Sequence, residues 1–189
     1  MRDIETMAVL GAGDTGIGVA RAAALAGLHV RLYDPSPDAL RRAIEHIRHG
    51  VQGAIARGRL SERDRQDILD GVLATTDLEE AVTDADLVVD AGPDLLDLKR
   101  ELFARLGRSC RATAILAATT SAFRLEAIAR GVPQPGRIVG LRFAEPVEDA
   151  NRVEIVASAE TSAETVERAR AFATRTGMAS SVASDHARE

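Results

Sequence analysis

Three glycines near the N-terminus have the spacing G-x-G-x-x-G, which is typical of loops that bind the pyrophosphate of a dinucleotide. The apolar run Met7–Leu10 precedes Gly11, Gly13 and Gly16, and the alanine-rich run Val19–Ala26 follows them. This order predicts strand, turn and helix. Gly11 allows the tight turn, Gly13 lets phosphates approach the backbone, and Gly16 lets the helix pack closely on the strand. The alternative is a glycine-rich turn without a ligand.

A carboxylate follows the second predicted strand, Leu28–Tyr33. This residue, Asp34, lies about twenty residues beyond the glycines, where an acid accepts hydrogen bonds from the adenosine ribose hydroxyls. Because a carboxylate there repels a 2′-phosphate, the sequence favours NAD over NADP. Asp34 also suits a turn or a helix cap. Asp14 and Thr15 complete the predicted cofactor-binding loop, where the Asp14 charge either favours the helix N-terminus or weakens phosphate binding.

The composition excludes several classes of protein. The chain has 189 residues, a net charge of −5 and one cysteine, Cys110. No basic stripe indicates nucleic-acid binding, and the apolar runs are too short to cross a bilayer. A single cysteine excludes an internal disulfide, and its position suits a small structural residue better than a nucleophile. We expect one cytoplasmic domain, residues 1–189, without a signal peptide or a metal site.

Predicted strands alternate with predicted helices, which is typical of a doubly wound, mostly parallel α/β sheet. Apolar residues at helical spacing predict a helix from Pro37 to about Arg57, and a second helix runs from Ser61 to about Leu69. This hairpin, about residues 37–70, either projects from the sheet as an arm or packs flat on it. The further predicted strands are Val72–Thr75, Asp86–Asp90, Thr113–Ala118, Arg137–Arg142, Arg152–Ala157 and Met178–Ala183, and the further helices are Asp77–Val82, Asp94–Leu106, Leu125–Ala129 and Ser162–Thr176.

In combination, these segments resemble the N-terminal NAD-binding domain of the 3-hydroxyacyl-CoA dehydrogenases over nearly the whole chain. The resemblance implies a Rossmann-type fold, NAD as cofactor, and hydride transfer between NAD and C3 of a 3-hydroxyacyl-CoA. The family's C-terminal helical domain, which closes the substrate cleft, has no counterpart in the 189 residues. The segments that carry the resemblance are Val9–Gly16, Leu32–Pro37, Asp86–Asp90, Asp97–Phe103, Ala114–Ala117, Thr120–Ser121, Arg137–Leu141, Phe143, Pro146–Val147 and Val153–Ile155.

The resemblance assigns further ligand contacts. Asp94 stands where the family has a glutamate near the nicotinamide ribose, and Lys99 matches a cofactor-contacting lysine. Ser121 matches the active-site serine, near both cofactor and substrate. On the hairpin, Gly50 replaces a serine that contacts CoA, whereas Arg57 keeps the charge of a CoA-contacting lysine. Two alternatives stay open, namely that Lys99 belongs to a solvated helix face and that Ser121 caps a helix.

The catalytic part departs from the family pattern. The family uses a histidine held by a glutamate as general base towards the substrate hydroxyl. Arg142 occupies the histidine position, Glu145 replaces an asparagine, and Glu154 matches the glutamate. Arginine is not deprotonated in proteins, so Arg142 is no base. It would instead polarise a carbonyl oxygen, pair with Glu154, or lie on the surface.

Three functional hypotheses follow. The first is an NAD-dependent oxidoreductase of fatty acid metabolism, acting on an acyl-CoA or hydroxy acid and completed by a partner chain, a homo-oligomer or a longer native polypeptide. The second is a catalytically impaired NAD-binding module that acts as a sensor, scaffold or partner subunit. The third is an enzyme of altered chemistry in which Arg142 has an electrophilic role.

Overall fold

The computed structural model describes residues 3–144 and 151–185, which form one eight-stranded sheet with helices on both faces. A 3-10 turn, Pro135–Arg137, precedes the sixth strand. The strands are β1 Thr6–Leu10, β2 His29–Tyr33, β3 Val72–Thr75, β4 Leu87–Asp90, β5 Ile115–Ala118, β6 Ile138–Phe143, β7 Arg152–Ala157 and β8 Ala179–Ser184; the helices are α1 Asp14–Leu25, α2 Pro37–Ala56, α3 Glu62–Asp70, α4 Leu78–Val82, α5 Leu96–Ser109, α6 Leu125–Ala129 and α7 Ala163–Arg175.

The strand order is β3-β2-β1-β4-β5-β6-β7-β8. The first six strands are mutually parallel, β7 is antiparallel to β6, and β8 is parallel to β7. The predicted doubly wound, mostly parallel sheet is therefore confirmed. The order reverses direction between β1 and β4, and open α/β sheets bind ligands at the carboxyl ends of the strands beside such a reversal.

The sheet separates two apolar cores. Helices α1, α2 and α7 cover one face with residues such as Val19, Ile47 and Phe172. Helices α4, α5 and α6 cover the other, with Phe103 and Ile128 among the buried side chains. Because both faces are covered, the central strands β4 and β5 are buried at every position. This explains their continuous apolar sequences.

Helix α1 begins at Asp14, five residues before the alanine-rich run from which the sequence predicts it. Gly16 and Gly18 lie in its first two turns and are buried. Glycine disfavours a helix interior by about 1 kcal/mol relative to alanine, so helix propensity hides the true start. Tertiary packing of Gly16 against Gly11 and Ala91 determines this boundary instead.

The hairpin of α2 and α3 is well capped. Ser36 Oγ accepts the Ala39 N–H at 3.2 Å, Pro37 occupies the first turn of α2, and Ser61 and Asp64 form a reciprocal capping box on α3. No residue of α3 is buried. Helix α2 instead buries one apolar stripe against α1 and the sheet, comprising Leu40, Ala43, Ile47, Val51 and Ala54.

Cys110 is a buried residue at the end of α5. Burial raises the pKa of its thiol to about 11, so the thiol is protonated at neutral pH. This agrees with the prediction of a small structural residue. No helix in residues 3–144 and 151–185 is long and apolar enough to cross a membrane.

A carboxyl group at the end of β8 holds the start of α6. Asp185 Oδ2 accepts the Leu125 N–H at 2.5 Å. Burial and a hydrogen bond with the Glu126 carboxyl raise the pKa of Asp185. An acid with a raised folded-state pKa contributes stability that is fully present at low pH and is lost as the pH rises through that pKa.

We therefore expect Asp185→Asn to raise the melting temperature near neutral pH, because asparagine can still accept the Leu125 N–H without adding a second negative charge. The gain should shrink as the pH falls through the raised pKa of Asp185, because the wild-type carboxyl takes up its proton there. Thermal unfolding followed by circular dichroism at several pH values measures both effects. Asp67→Asn, at an exposed position of α3, is the matched control. A lower melting temperature for Asp185→Asn at neutral pH would contradict this account.

Candidate functional site

The glycine loop joins β1 to α1 in a conformation that other residues do not fit. Gly11 has a φ of +109°, and its N–H donates to the Tyr33 carbonyl at 2.8 Å. A Cβ on Gly11 would lie 2.9 Å from the Ala91 carbonyl oxygen, and a Cβ on Gly16 would lie 1.8 Å from the Gly11 oxygen. Both predicted roles, tight turn and close packing, therefore have a direct geometric basis.

Gly13 has a different environment. It is the N-cap residue of α1 with φ −83° and ψ −177°, and no side chain caps the helix. A Cβ at Gly13 would meet nothing within 4 Å. The start of α1 therefore faces open space, which fits a pyrophosphate on the helix N–H groups. Asp14 is exposed beside this space, and Thr15 is half-buried.

Asp34 links the end of β2 to the glycine loop. Its Oδ2 accepts the Ala12 N–H and its Oδ1 accepts the Ser36 N–H, both at 2.9 Å. The turn-forming role is thus present, and it also fixes the carboxylate beside the loop. Because each carboxylate oxygen can accept more than one hydrogen bond, capacity remains for ribose hydroxyls.

Lys99 is a buried residue of α5, so its interpretation as part of a solvated helix face is wrong. Its side chain is 2% exposed, and Nζ lies 2.8 Å from Asp90 Oδ2 and 3.3 Å from the Gly92 oxygen. Asp94 Oδ1 is 3.6 Å from the same nitrogen, and the Asp94 side chain is 48% exposed. Sequence reasoning missed Asp90; the available signal was a charged residue at the end of an otherwise apolar strand.

Arg142 and Glu154 are directly opposed across β6 and β7. Arg142 Nη1 lies 3.1 Å from Glu154 Oε2, and Arg142 Nε donates to the Thr120 carbonyl at 3.4 Å. The two side chains are 16% and 35% exposed. The proposed pairing is therefore present, and the interpretation of Arg142 as a free surface residue is wrong.

Ser121 is exposed and immediately follows Thr120. The N-cap of α6 is Arg124, and the first helical N–H, that of Leu125, is bound by Asp185. Ser121 is thus no helix cap, and the contact from Arg142 to Thr120 places this loop beside the ion pair. In the neighbouring strand connection, Thr119 donates through its N–H and its Oγ1 to the Asp90 carbonyl.

Arg57 does not lie with these residues. It lines a cleft of about 330 Å³ with Leu25 and Ala26, at the end of α1 opposite the glycine loop. A Cβ on Gly50 would lie 2.3 Å from Arg21 Cδ, so glycine at this position lets Arg21 cross α2.

Glu145, Pro146, Val147 and His186 lie outside the described residues. Within the described ranges, no cluster of three His, Cys, Asp or Glu residues could hold a metal ion.

The strand order, the glycine loop and Asp34 define the class of this domain as dinucleotide-binding and Rossmann-type. Residues 6–186 match the family described as "3-hydroxyacyl-CoA dehydrogenase, NAD binding domain". The chain belongs to this family, and NAD is the cofactor that its domain indicates.

Named relatives agree with this membership. The chain is 37% identical to the 3-hydroxyadipyl-CoA dehydrogenase of Escherichia coli K12, over 89% of this chain and 35% of the relative. It is 32% identical to a probable 3-hydroxybutyryl-CoA dehydrogenase of Bacillus subtilis, over 93% of this chain and 61% of that relative. The crystal structure of 3-hydroxybutyryl-CoA dehydrogenase from Escherichia coli K12 superposes with a TM-score of 0.92 at 34% identity, covering 97% of this chain and 39% of that one. The chain thus spans about a third to three fifths of these relatives.

Two glycine substitutions should separate folding from cofactor binding. Gly13→Ala should change the free energy of unfolding by less than about 0.5 kcal/mol, because its Cβ enters open space. It should nevertheless weaken NADH binding by about ten-fold or more, since that space fits the pyrophosphate.

Gly16→Ala is the matched comparison and should destabilise the fold by more than the usual overpacking cost of about 1–3 kcal/mol, because its Cβ meets rigid backbone. Chemical denaturation and NADH fluorescence titration measure the two quantities. Undiminished NADH affinity in Gly13→Ala would argue against a pyrophosphate at this position.

Proposed function

We propose that this chain provides the cofactor half of an NAD-dependent oxidoreductase that transfers hydride between NAD and a 3-hydroxyacyl thioester or a related hydroxy acid. The observation that carries the proposal is a row of polar groups at the carboxyl ends of the neighbouring parallel strands β1, β4, β5 and β6. It runs from the glycine loop through Asp94 and Ser121 to the Arg142–Glu154 pair. The names of the relatives support the thioester class.

The cofactor would be held mainly by backbone. The N–H groups at the start of α1, around Gly13 and Thr15, would bind the pyrophosphate, and Asp34 would bind the adenosine ribose. Asp94, half-exposed at the β4–α5 turn, would lie near the nicotinamide ribose. When bound, NAD supplies the hydride acceptor, and NADH the donor.

Arg142 would bind the substrate oxygen. Its guanidinium carries a fixed positive charge, and Glu154 holds it in one orientation. Donors placed where negative charge develops stabilise the transition state, so Arg142 would polarise the carbonyl during reduction. Ser121 would offer a second donor from the adjacent loop. In the oxidation direction the hydroxyl proton needs an acceptor, and Glu154 supplies a carboxylate beside Arg142.

The rest of the substrate site would come from outside these elements. Arg57 lies at the far end of α1, so its predicted contact with CoA requires a ligand that extends beyond the Arg142 region. A longer polypeptide, a partner chain or a second copy of this chain would supply the remaining wall of the cleft.

A catalytically impaired NAD-binding module is the second candidate. The observation that favours it is the ion pair itself, because Arg142 already uses its guanidinium on Glu154 and on the Thr120 carbonyl. Such a module would bind NADH and leave it unoxidised with every substrate.

The charge of Asp34 should determine which cofactor binds more tightly. We expect NADH to bind more tightly than NADPH, because the Asp34 carboxylate repels a 2′-phosphate. Asp34→Asn removes the charge at constant size, so it should reduce the difference in affinity between NADH and NADPH. Titration calorimetry measures the affinity for each cofactor. Equal affinities of the wild-type protein for NADH and NADPH would contradict this role of Asp34.

The proposed role of Arg142 in catalysis can be tested by removing its guanidinium. In an NADH-oxidation assay over a panel of 3-ketoacyl-CoA and keto-acid substrates, Arg142→Met should lower kcat by about a hundred-fold, as expected for loss of an oxyanion donor. Its NADH affinity should be unchanged. Arg152→Met, an exposed arginine on β7, is the control. NADH binding by the wild-type chain without turnover of any panel member, alone or with candidate partner proteins, would favour the non-catalytic module.

A further inference from the structure

The turn that follows β4 forms one wall of the glycine loop. The Ala91 N–H donates to the Leu10 carbonyl at 2.8 Å. The Ala91 oxygen lies 2.9 Å from the Cβ position of Gly11, and the Ala91 Cβ lies 3.5 Å from that of Gly16. At these separations the turn and the loop cannot move independently, so the position of the turn sets the geometry of the cofactor cradle.

Two buried charged side chains, Asp90 and Lys99, hold this turn. Asp90 Oδ1 accepts the Gly92 N–H at 2.9 Å, and Lys99 Nζ donates to the Gly92 oxygen at 3.3 Å. The carboxylate and the ammonium are themselves 2.8 Å apart, and each side chain is 2% exposed. Both polar groups of Gly92 are therefore held by one ion pair.

The Lys99 ammonium makes its close polar contacts with other groups of the protein. An ammonium has three donors. Asp90 Oδ2, the Gly92 oxygen and Asp94 Oδ1 surround the nitrogen at 2.8, 3.3 and 3.6 Å. Replacing a buried ion pair by packed apolar residues is often neutral or stabilising. Stability alone thus gives no account of these two charges at the base of a ligand site.

We propose that Asp90 is a positioning residue for NAD. With Lys99 it clamps Gly92, and this clamp fixes the 91–94 turn against the glycine loop and presents Asp94 to the cofactor. Lys99 accordingly acts through the turn, in contrast to the direct cofactor contact that the family resemblance implies. The inference rests on NAD as the cofactor and is independent of the reaction assigned to Arg142.

The test compares three variants by NADH fluorescence titration and by hydrogen exchange at the Gly92 amide in the cofactor-free protein. Asp90→Asn keeps the side-chain size but weakens the hold on Lys99. The double variant Asp90→Val with Lys99→Met removes both charges and avoids leaving either one buried alone. Asp86→Asn is the control, since Asp86 is a buried carboxyl at the other end of the same strand, where it binds the Glu5 and Thr6 N–H groups.

We expect the double variant to melt near the wild-type temperature, to bind NADH at least ten-fold more weakly, and to exchange the Gly92 amide faster. Asp90→Asn should also lose NADH affinity, whereas Asp86→Asn should change neither NADH affinity nor Gly92 exchange. If Lys99 contacts the cofactor directly, Asp90→Asn frees its ammonium, and NADH affinity stays equal or rises; that result overturns the proposal. Unchanged Gly92 exchange in the double variant would also overturn it.

These measurements separate the clamp from the reaction. Binding and exchange need no turnover, so an inactive wild-type chain that shows the expected pattern contradicts the proposed reaction alone. A wild-type chain that does not bind NADH would overturn the cofactor site and the positioning role together.

Discussion

The close approach of two backbone segments at the β1–β4 boundary is the constraint on which the rest of the site depends. The glycine loop and the turn after β4 meet at a distance that excludes even a single methyl group on Gly11. The positive φ of Gly11, the buried Gly16 and the clamp on Gly92 all serve this contact. The start of α1, the Asp34 carboxylate and the 91–94 turn therefore belong to one rigid unit, and a disturbance in one part reaches the others.

Charged side chains are unevenly distributed around the proposed cofactor site. Three carboxylates, Asp14, Asp34 and Asp94, lie along the proposed dinucleotide path, whereas the Lys99 ammonium is turned into the protein. In the proposed binding mode the phosphates consequently rely on oriented N–H groups more than on side-chain cations. Among the described residues of the proposed site, Arg142 contributes positive charge at the end assigned to the substrate.

The sequence predicts the parts of this site that depend on local spacing. Apolar runs and turn residues locate each strand, the glycine spacing locates the loop, and the family resemblance brings Arg142 and Glu154 together. The clamp was not predicted, because its partners lie nine residues apart across a strand–helix junction and an apolar pattern says nothing about a lysine. The bond from Leu125 to Asp185 spans sixty residues and leaves no local signal. The start of α1 was misplaced because glycine propensity opposes the packing that determines it.

The cross-strand guanidinium also fixes how the site responds to acidity. An imidazole at the same position would change its charge between about pH 5 and 8, so a histidine-based site weakens as its base becomes protonated. Arg142 keeps one charge over that whole interval. The contribution of this one side chain to the electrostatic field at the end of β6 is thus the same throughout the interval in which an imidazole would change its charge.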